Sequence, residues 1–270
     1  MKNTKFLSGK TREISVFLIA LIVLFSISAC SLFKKKYEKT ERKEYTVNTI
    51  NKKKVTFDNT NGNIKVIRNS SDSLLRIKAE ITIRVSKKEL DENIEKINMD
   101  IDSSGNTINI RPGIVKEKHF FNFSFNFNEN EEYQLIVPDG LDVVIDNTNG
   151  KIDVSEVTGN VKISSTNGSV KFKNTPGKLN AELTNGKITA DIDSTKGIDF
   201  RATNGSVTLN LGNSFSGNFK LETVNGKITT KDFDFKKESK EKRTFTGKLG
   251  DSDAEIRIET TNGKITLNKK

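Results

Sequence analysis

The triplet Thr-Asn-Gly recurs through this chain and constrains its fold more than any other feature. It occurs six times, and a Val-Asn-Gly variant adds a seventh copy. From the second copy to the sixth, the intervals are 18, 18, 19 and 21 residues, a spacing typical of stacked supersecondary units. We therefore expect a repeat protein whose function lies on a surface. The seven pairs are Asn61-Gly62, Asn149-Gly150, Asn167-Gly168, Asn185-Gly186, Asn204-Gly205, Asn225-Gly226 and Asn262-Gly263.

Apolar and polar residues alternate between the triplets. Runs such as Val161-Lys162-Ile163 put their apolar side chains on one face, which predicts strands that are buried on one side. Glycines from residue 150 to residue 197 recur at steps of 9, 9, 9, 9 and 11, so each repeat should hold two strands and two turns. One such unit cannot bury its apolar face alone, so neighbouring units must stack. The prediction is an all-β fold, a parallel β-solenoid.

An antiparallel meander is the alternative, because Asn-Gly also suits a two-residue hairpin turn. The solenoid is favoured because the triplet returns at every second turn rather than at every turn. It would place Asn149, Asn167, Asn185, Asn204 and Asn225 in one column, about 4.8 Å apart per rung, where stacked amides can bond along the axis. Glycine would supply a positive φ that a Cβ penalises by roughly 1 to 2 kcal/mol.

The part of the chain from 45 to 147 is less regular than the repeats. It contains one early repeat-like unit, and Ser86-Lys87-Lys88-Glu89 followed by apolar residues at helical spacing predicts one short helix there. Four phenylalanines, at 121, 123, 125 and 127, alternate with polar residues. Such a stripe is either a partner surface or a strand that covers the open end of the core, and the covering strand is favoured.

The first 44 residues differ from everything that follows. Four basic residues among the first 12 precede an almost uncharged run over 14–29, typical of a secretory signal peptide. The run ends in Ile27-Ser28-Ala29-Cys30, which resembles the lipobox of bacterial lipoproteins. We expect a signal peptide over 1–29, cleavage between Ala29 and Cys30, and lipidation of Cys30, for example by palmitate. An uncleaved membrane anchor, or a simple signal peptide with an unrelated cysteine, is the alternative.

The remaining boundaries follow composition. Residues 30–44 hold the lipidated cysteine and a charged tether, 45–147 form the irregular part of the domain, and 148–270 form the repeat solenoid. A charged insertion at 232–252 interrupts the repeats and should form a loop or hairpin at the far end.

Few residues are available for catalysis. The chain has one histidine, His119, and one cysteine, so the numbers argue against a His-based relay or a His-ligated metal. The repeats also lack the acidic pattern of calcium-binding β-rolls, and we expect no metal and no cofactor. A polysaccharide-processing enzyme would need paired carboxylates. Candidates are Asp153, Glu182, Asp191, Asp193 and Asp199, but their neighbours are Lys, Thr and Asn, which favours a solvated polar face.

Positive charge is the remaining signal, with a formal net charge of +10. Lysine follows Asn-Gly at Lys151, Lys187, Lys227 and Lys264, and serine takes that position at Ser169 and Ser206. Lysines on every second rung would lie about 10 Å apart, close to the ~8 Å Debye length, so their fields add weakly. The column could contact anionic envelope polymers such as teichoic acid or lipopolysaccharide, or could simply keep the solenoid soluble. No aromatic residues interleave with these lysines, so nucleic-acid binding is not expected.

The run YQLIVPDGLDVVIDNTNGKIDV, which starts at Tyr133, and the ending IRIETTNGKI resemble the bacterial "putative adhesin" family of domains of unknown function. The resemblance covers most of residues 45–268. It implies a β-solenoid on the cell envelope, and it brings no catalytic motif. For a lipoprotein of this kind we expect the outer membrane or cell surface. The expected function is a non-catalytic binding or scaffold surface. A polysaccharide-processing enzyme on the same fold, and an envelope-stress sensor that binds an envelope protein, are the alternatives.

Overall fold

A computed structural model describes residues 37–85, 96–115 and 128–270, and these residues contain strands but no helix. The described residues of 40–83 and 96–270 belong to one compact unit. The strands are β1 (Tyr37–Asn48), β2 (Lys54–Asn61), β3 (Asn63–Asn69), β4 (Leu74–Val85), β5 (Lys96–Asp102), β6 (Thr107–Val115), β7 (Asn128–Pro138), β8 (Asp142–Ser155), β9 (Val161–Lys173), β10 (Lys178–Ile192), β11 (Gly197–Leu211), β12 (Gly217–Thr223), β13 (Ile228–Thr230), β14 (Lys236–Lys240), β15 (Thr244–Leu249), β16 (Glu255–Asn262) and β17 (Ile265–Lys269).

Each repeat forms one rung, which bends at its Asn-Gly pair. The half before the bend pairs in parallel with the same half of neighbouring rungs, and so does the half after the bend. All strands belong to one hydrogen-bonded sheet, and its parts before and after the bend are called the first sheet and the second sheet. Strands β8, β9, β10 and β11 are four such rungs in sequence order, with their Asn-Gly pairs in register. The predicted parallel β-solenoid is confirmed, and the parallel pairing excludes the meander.

The spatial order of the rungs departs from the sequence order at both ends. The order is β2–β3, β8, β9, β10, β11, β16–β17 and β12–β13, which we number as rungs 1 to 7. The C-terminal pair β16–β17 therefore lies between β11 and β12–β13. The expectation that the Asn225 repeat directly follows the Asn204 repeat is wrong, because β11 pairs with β16 and β17 instead.

The core lies between the two sheets and is filled by the inward residues of every rung. In rung 3, Val161 and Ile163 come from the first sheet and Val170 and Phe172 from the second, and all four are at most 1% exposed. The rings of Phe172 and Phe200 stack with centroids 5.3 Å apart. The alternating apolar residues of successive rungs thus form one continuous apolar core along the stack.

Both ends of the stack carry extra strands. At rung 1, β6 pairs with β2 and β7 pairs with β3, both in parallel, and β5 pairs antiparallel with β6. At rung 7, β15 pairs antiparallel with β12, and β14 pairs antiparallel with β15, so residues 232–252 contain a hairpin. Phe235 from this segment contacts Phe219 and Phe245 with ring centroids 5.3 and 4.9 Å apart. Aromatic side chains therefore cover this end of the core.

Several expectations fall outside the described residues. These are the signal peptide with Ala29 and Cys30, the segment with His119 and the four alternating phenylalanines, and the helix predicted from Ser86 onward. Of the residues assigned to that helix, Ile97 is described, and it lies in β5. Within the described ranges, no helix is long and apolar enough to cross a membrane.

Candidate functional site

The seven Asn-Gly asparagines form one hydrogen-bonded ladder along the edge where the two sheets meet. Six bonds join them: from rung 2 onward, each side-chain amide nitrogen donates to the side-chain oxygen of the preceding rung, over distances from 2.8 to 3.0 Å. In spatial order the ladder runs through Asn61, Asn149, Asn167, Asn185, Asn204, Asn262 and Asn225. The ladder fixes the register of all seven rungs and presents a straight row of amides at the surface.

Glycine follows each asparagine because the backbone of a neighbouring strand lies too close for a Cβ. This contact is shared by more of the positions than a positive φ is. A Cβ on Gly186 would lie 1.7 Å from the carbonyl oxygen of Gly168, and one on Gly263 would lie 1.7 Å from that of Gly205. The φ of Gly186 is +140°, but the φ of Gly263 is outside the left-handed region. The expected positive φ is thus found at only part of the column, whereas the backbone contact occurs along all of it.

The residues that follow Asn-Gly form a second column on the second sheet. Its order from rung 2 to rung 7 is Lys151, Ser169, Lys187, Ser206, Lys264 and Lys227. Lys187 and Lys264 lie two rungs apart, about 10 Å, while Lys264 and Lys227 lie on adjacent rungs, about 5 Å apart. The lysine spacing is therefore uneven, because rung 6 is contributed by the C-terminus.

The four lysines also differ in their partners. The Nζ of Lys151 lies 2.6 Å from Asp153. Within the described residues, Lys187, Lys227 and Lys264 make no ion pair, and all three are exposed. A neighbouring column of threonines, Thr189, Thr208, Thr266 and Thr229, adds hydroxyls but no negative charge beside them. The half of the column toward rung 7 therefore carries free positive charge.

A groove of about 880 Å³ runs along the first sheet just before the bend. It crosses all seven rungs, which corresponds to about 29 Å at the usual spacing between strands. One column that lines it contains Asp58, Asp146, Glu182, Arg201, Glu259 and Glu222. A second column, two positions further along each rung, contains Thr148, Thr166, Thr184, Thr203 and Thr261. The groove presents polar groups at a regular repeat, without an aromatic side chain among its lining residues.

Each of the five carboxylates considered from the sequence has a basic partner. Glu182 and Asp199 lie 3.0 and 2.7 Å from the guanidinium of Arg201. Asp153 pairs with Lys151, Asp191 lies 3.4 Å from Lys171, and Asp193 lies 3.0 Å from Lys270. Glu182 and Asp199 are on the first sheet and Asp153 and Asp191 are on the second, so the fold does not gather the five into one cluster.

Among these carboxylates, Asp191 has a pKa that is shifted by its neighbours. Burial raises its pKa, but hydrogen bonds from Asn210 and Lys171 and the charge of Lys171 outweigh burial, and the pKa lies below its ordinary value. Asp191 therefore stays ionised at neutral pH. Among the described residues, no group of three or more His, Cys, Asp or Glu side chains is placed to hold a metal ion.

Sequence reasoning did not find the groove. The signal was present in the residues two positions before each Thr-Asn-Gly threonine, where Asp58, Asp146 and Glu182 occur at matching positions. Residues at that position form a column only when the rungs are aligned. The order of residues at the rung 7 end of the column also depends on rungs 6 and 7, whose spatial order is the reverse of their sequence order.

The fold and the ladder define the class of protein: a parallel β-solenoid domain built from rungs of two strands. The chain belongs to the Toastrack DUF4097 family, whose model matches residues 36–268. The resemblance seen in the sequence, to β-solenoid domains of unknown function, is confirmed. No curated protein matches the sequence.

Solved structures that match this chain come from several bacteria. A "putative cell adhesion protein" from Clostridium sporogenes is 17% identical over 86% of this chain and 100% of that chain, with a TM-score of 0.49. A "putative adhesin" from Bacteroides fragilis is 13% identical over 85% and 97%, with a TM-score of 0.24. Another from Parabacteroides merdae is 12% identical over 85% and 96%, with a TM-score of 0.28. Likeness at this level carries no argument about function.

Proposed function

We propose that this chain is a lipid-anchored protein of the bacterial cell envelope whose β-solenoid is a non-catalytic binding surface for anionic envelope polymers. The observation that carries the proposal is the row of three exposed, unpaired lysines on rungs 4, 6 and 7: Lys187, Lys264 and Lys227. An extended polyanion can contact such a row without any pocket, because exposed charges act at a distance of about a Debye length, ~8 Å.

The anchor rests on the sequence. Acylation of Cys30 after cleavage at Ala29 would hold the domain at the outer membrane or cell surface, and the charged tether would separate it from the lipid. A Cys30→Ser variant should lose incorporation of labelled fatty acid and leave the membrane fraction. Continued acylation or complete membrane retention of that variant would count against the anchor.

The pairing of carboxylates supports a non-catalytic surface over a polysaccharide-processing enzyme. A glycosidase needs two carboxyl groups that differ in protonation across a sugar-sized gap. In this protein Glu182 and Asp199 both pair with the guanidinium of Arg201, at 3.0 and 2.7 Å, so one basic side chain engages both carboxylates.

The test compares two sets of three substitutions in the full chain, solubilised in a nonionic detergent. One set, K187Q/K227Q/K264Q, removes the free lysines of the column. The other, K162Q/K178Q/K196Q, removes the same charge from exposed lysines that lie outside it. Binding to immobilised teichoic acid and lipopolysaccharide should weaken about tenfold for the first set, since three exposed contacts of ~0.5 kcal/mol each approach the 1.4 kcal/mol that corresponds to a factor of ten.

The second set should bind nearly as well as the unchanged protein. Added salt should shrink the difference between the two sets, because exposed charges are screened. Equal losses in both sets would show that only net charge matters, and the lysine column would then not be the contact surface.

A further inference from the structure

Two repeats near the C-terminus are close to interchangeable in sequence. The segment FKLETVNGKITT begins at Phe219 and forms rung 7, and IRIETTNGKITL begins at Ile256 and forms rung 6. The aligned segments share Glu, Thr, Asn, Gly, Lys, Ile and Thr at the same positions, and Lys220 aligns with Arg257. Both segments therefore carry the residues that a rung needs to bind next to β11.

The later of the two segments occupies the place beside β11. Strand β16 pairs with β11 on one side and with β12 on the other, and β17 pairs with β11 and β13. The C-terminal rung is thus inserted between two elements that precede it in the sequence.

The charges of the inserted rung match one neighbour and not the other. Toward β11, Arg257 is in register with Asp199, and Glu259 lies 3.5 Å from Arg201. Toward rung 7, Arg257 faces Lys220, Glu259 faces Glu222, and Lys264 faces Lys227. Like charges directly opposite each other on neighbouring strands are destabilising. The edge of β11 therefore favours a rung of this charge pattern, whereas the like pairs toward rung 7 are only partly offset by the attraction between Arg257 and Glu222.

The rung is attached to the rest of the chain by a short exposed segment. Gly250 has a φ of +63°, and the side chains of Asp251 and Asp253 are 97% and 95% exposed. By contrast, Ile256, Ile258, Ile265 and Leu267 are at most 1% exposed. If the rung leaves, two parallel strand edges and part of the core are uncovered, so an equivalent rung from another chain would be captured at little cost.

We propose that the C-terminal rung is exchanged between two copies of this chain, each inserting Glu255–Lys269 between β11 and β12–β13 of the other. A second copy is the occupant that fits, because it carries the same C-terminal rung, with the asparagine that continues the ladder from Asn204 at 2.8 Å and the glycine that packs against Gly205. The segment at Phe219 has matching residues, but its strand β12 already pairs with β15 on its outer edge. The exchanged dimer makes the same contacts as the single chain. Formation of the dimer is therefore limited by the protein concentration and by the opening of the connecting segment.

The experiment mixes two full-length variants, both in a Cys30→Ser background that removes the one native cysteine. One copy carries Thr208→Cys and the other, isotopically labelled, carries Thr266→Cys. These positions are register partners on β11 and β17, and the Cα atoms of adjacent strands lie within the range that a disulfide spans. The copies are partly unfolded together, returned to native buffer and oxidised. Disulfide-linked heterodimers are then counted by mass spectrometry.

The matched control mixes Thr189→Cys with Thr208→Cys. These residues are register partners in the same column, on β10 and β11, which no exchange of the C-terminal rung separates. We expect a several-fold excess of heterodimers in the Thr208→Cys and Thr266→Cys mixture. Equal yields in the two mixtures would overturn the proposal. So would failure of a single chain carrying both Thr208→Cys and Thr266→Cys to close an internal disulfide, because the rung would then not lie beside β11.

Discussion

The side-chain amide of Asn262 donates a hydrogen bond to the side-chain oxygen of Asn204 across 2.8 Å, although 58 residues separate the two in sequence. Asn225, which is nearer in sequence to Asn204, donates instead to Asn262 across 3.0 Å. The neighbours of a residue in this domain are therefore set by the order of the rungs and not by the order of the chain.

Truncating an asparagine in the middle of the ladder should destabilise the fold modestly. Asn185→Ala removes the bond that Asn185 donates to Asn167 and the bond that it accepts from Asn204. We expect a loss of about 1 to 2 kcal/mol in the free energy of unfolding, measured by urea denaturation, because each net hydrogen bond contributes ~0.5 to 1.5 kcal/mol. Asn225→Ala, at the end of the ladder, removes one such bond and should cost about half as much. Equal costs would contradict a bonded ladder.

Adding a methyl group at Gly186 should be severe. The new Cβ would lie 1.7 Å from the carbonyl oxygen of Gly168, and the φ of +140° disfavours any other residue. Gly186→Ala should therefore lower the free energy of unfolding by more than about 3 kcal/mol, or prevent folding. Gly105→Ala is the control, since its Cβ would meet no atom within 4 Å. Circular dichroism melts of both variants check this, and a well-folded Gly186→Ala would show that the rungs can separate locally.

Stability should fall as the solution is acidified. Two hydrogen bonds from Arg68, and a third from Thr158, hold the pKa of Asp139 below its ordinary value. The unfolded chain then binds protons more readily than the folded one, so this contribution is present above the unfolded value near ~3.9 and is lost as the pH falls below it and through the lower folded value. The pKa values of Asp72 and Asp102 are lowered as well, the first by Arg76 and the second by Ser104, and they act in the same direction.

Arg68→Gln and Asp139→Asn should each flatten the dependence of the urea midpoint on pH in this acidic range. Because both variants break the same pair, the double variant should be no flatter than Asp139→Asn alone. Additive flattening would mean that the two residues act through different partners.

The aromatic residues at rung 7 should hold the end of the core. Phe245 is fully buried and its ring contacts that of Phe235. Phe245→Ala should cost about 3 to 5 kcal/mol, whereas Phe245→Leu, which keeps most of the volume, should cost less than about 1.5 kcal/mol. Thermal unfolding followed by fluorescence of a bound apolar dye measures both. A small cost for the alanine variant would indicate that the hairpin does not seal the core.

The sequence predicted the solenoid because alternation and the recurring triplet are local signals. It placed the asparagines on one edge for the same reason. It could not predict which of the segments at Phe219 and Ile256 lies against β11, because their residues satisfy the same requirements. The uneven lysine spacing and the residues at the rung 7 end of the groove depend on which segment lies against β11. The sequence therefore could not predict them either. In the structure, β15 of the hairpin pairs with the outer edge of β12. The inner edge of β12 is therefore left to pair with β16, which places β16 between β11 and β12.

The asparagine ladder has one direction throughout. In each of the six bonds, the donating nitrogen points toward rung 1 and the accepting oxygen toward rung 7. The seven amide dipoles therefore add along the axis, as peptide dipoles do in a helix, with the positive pole at Asn61 and the negative pole at Asn225. Lys227 lies two residues from Asn225, at the negative pole. The domain therefore has an electrostatic axis, although its described residues contain no helix.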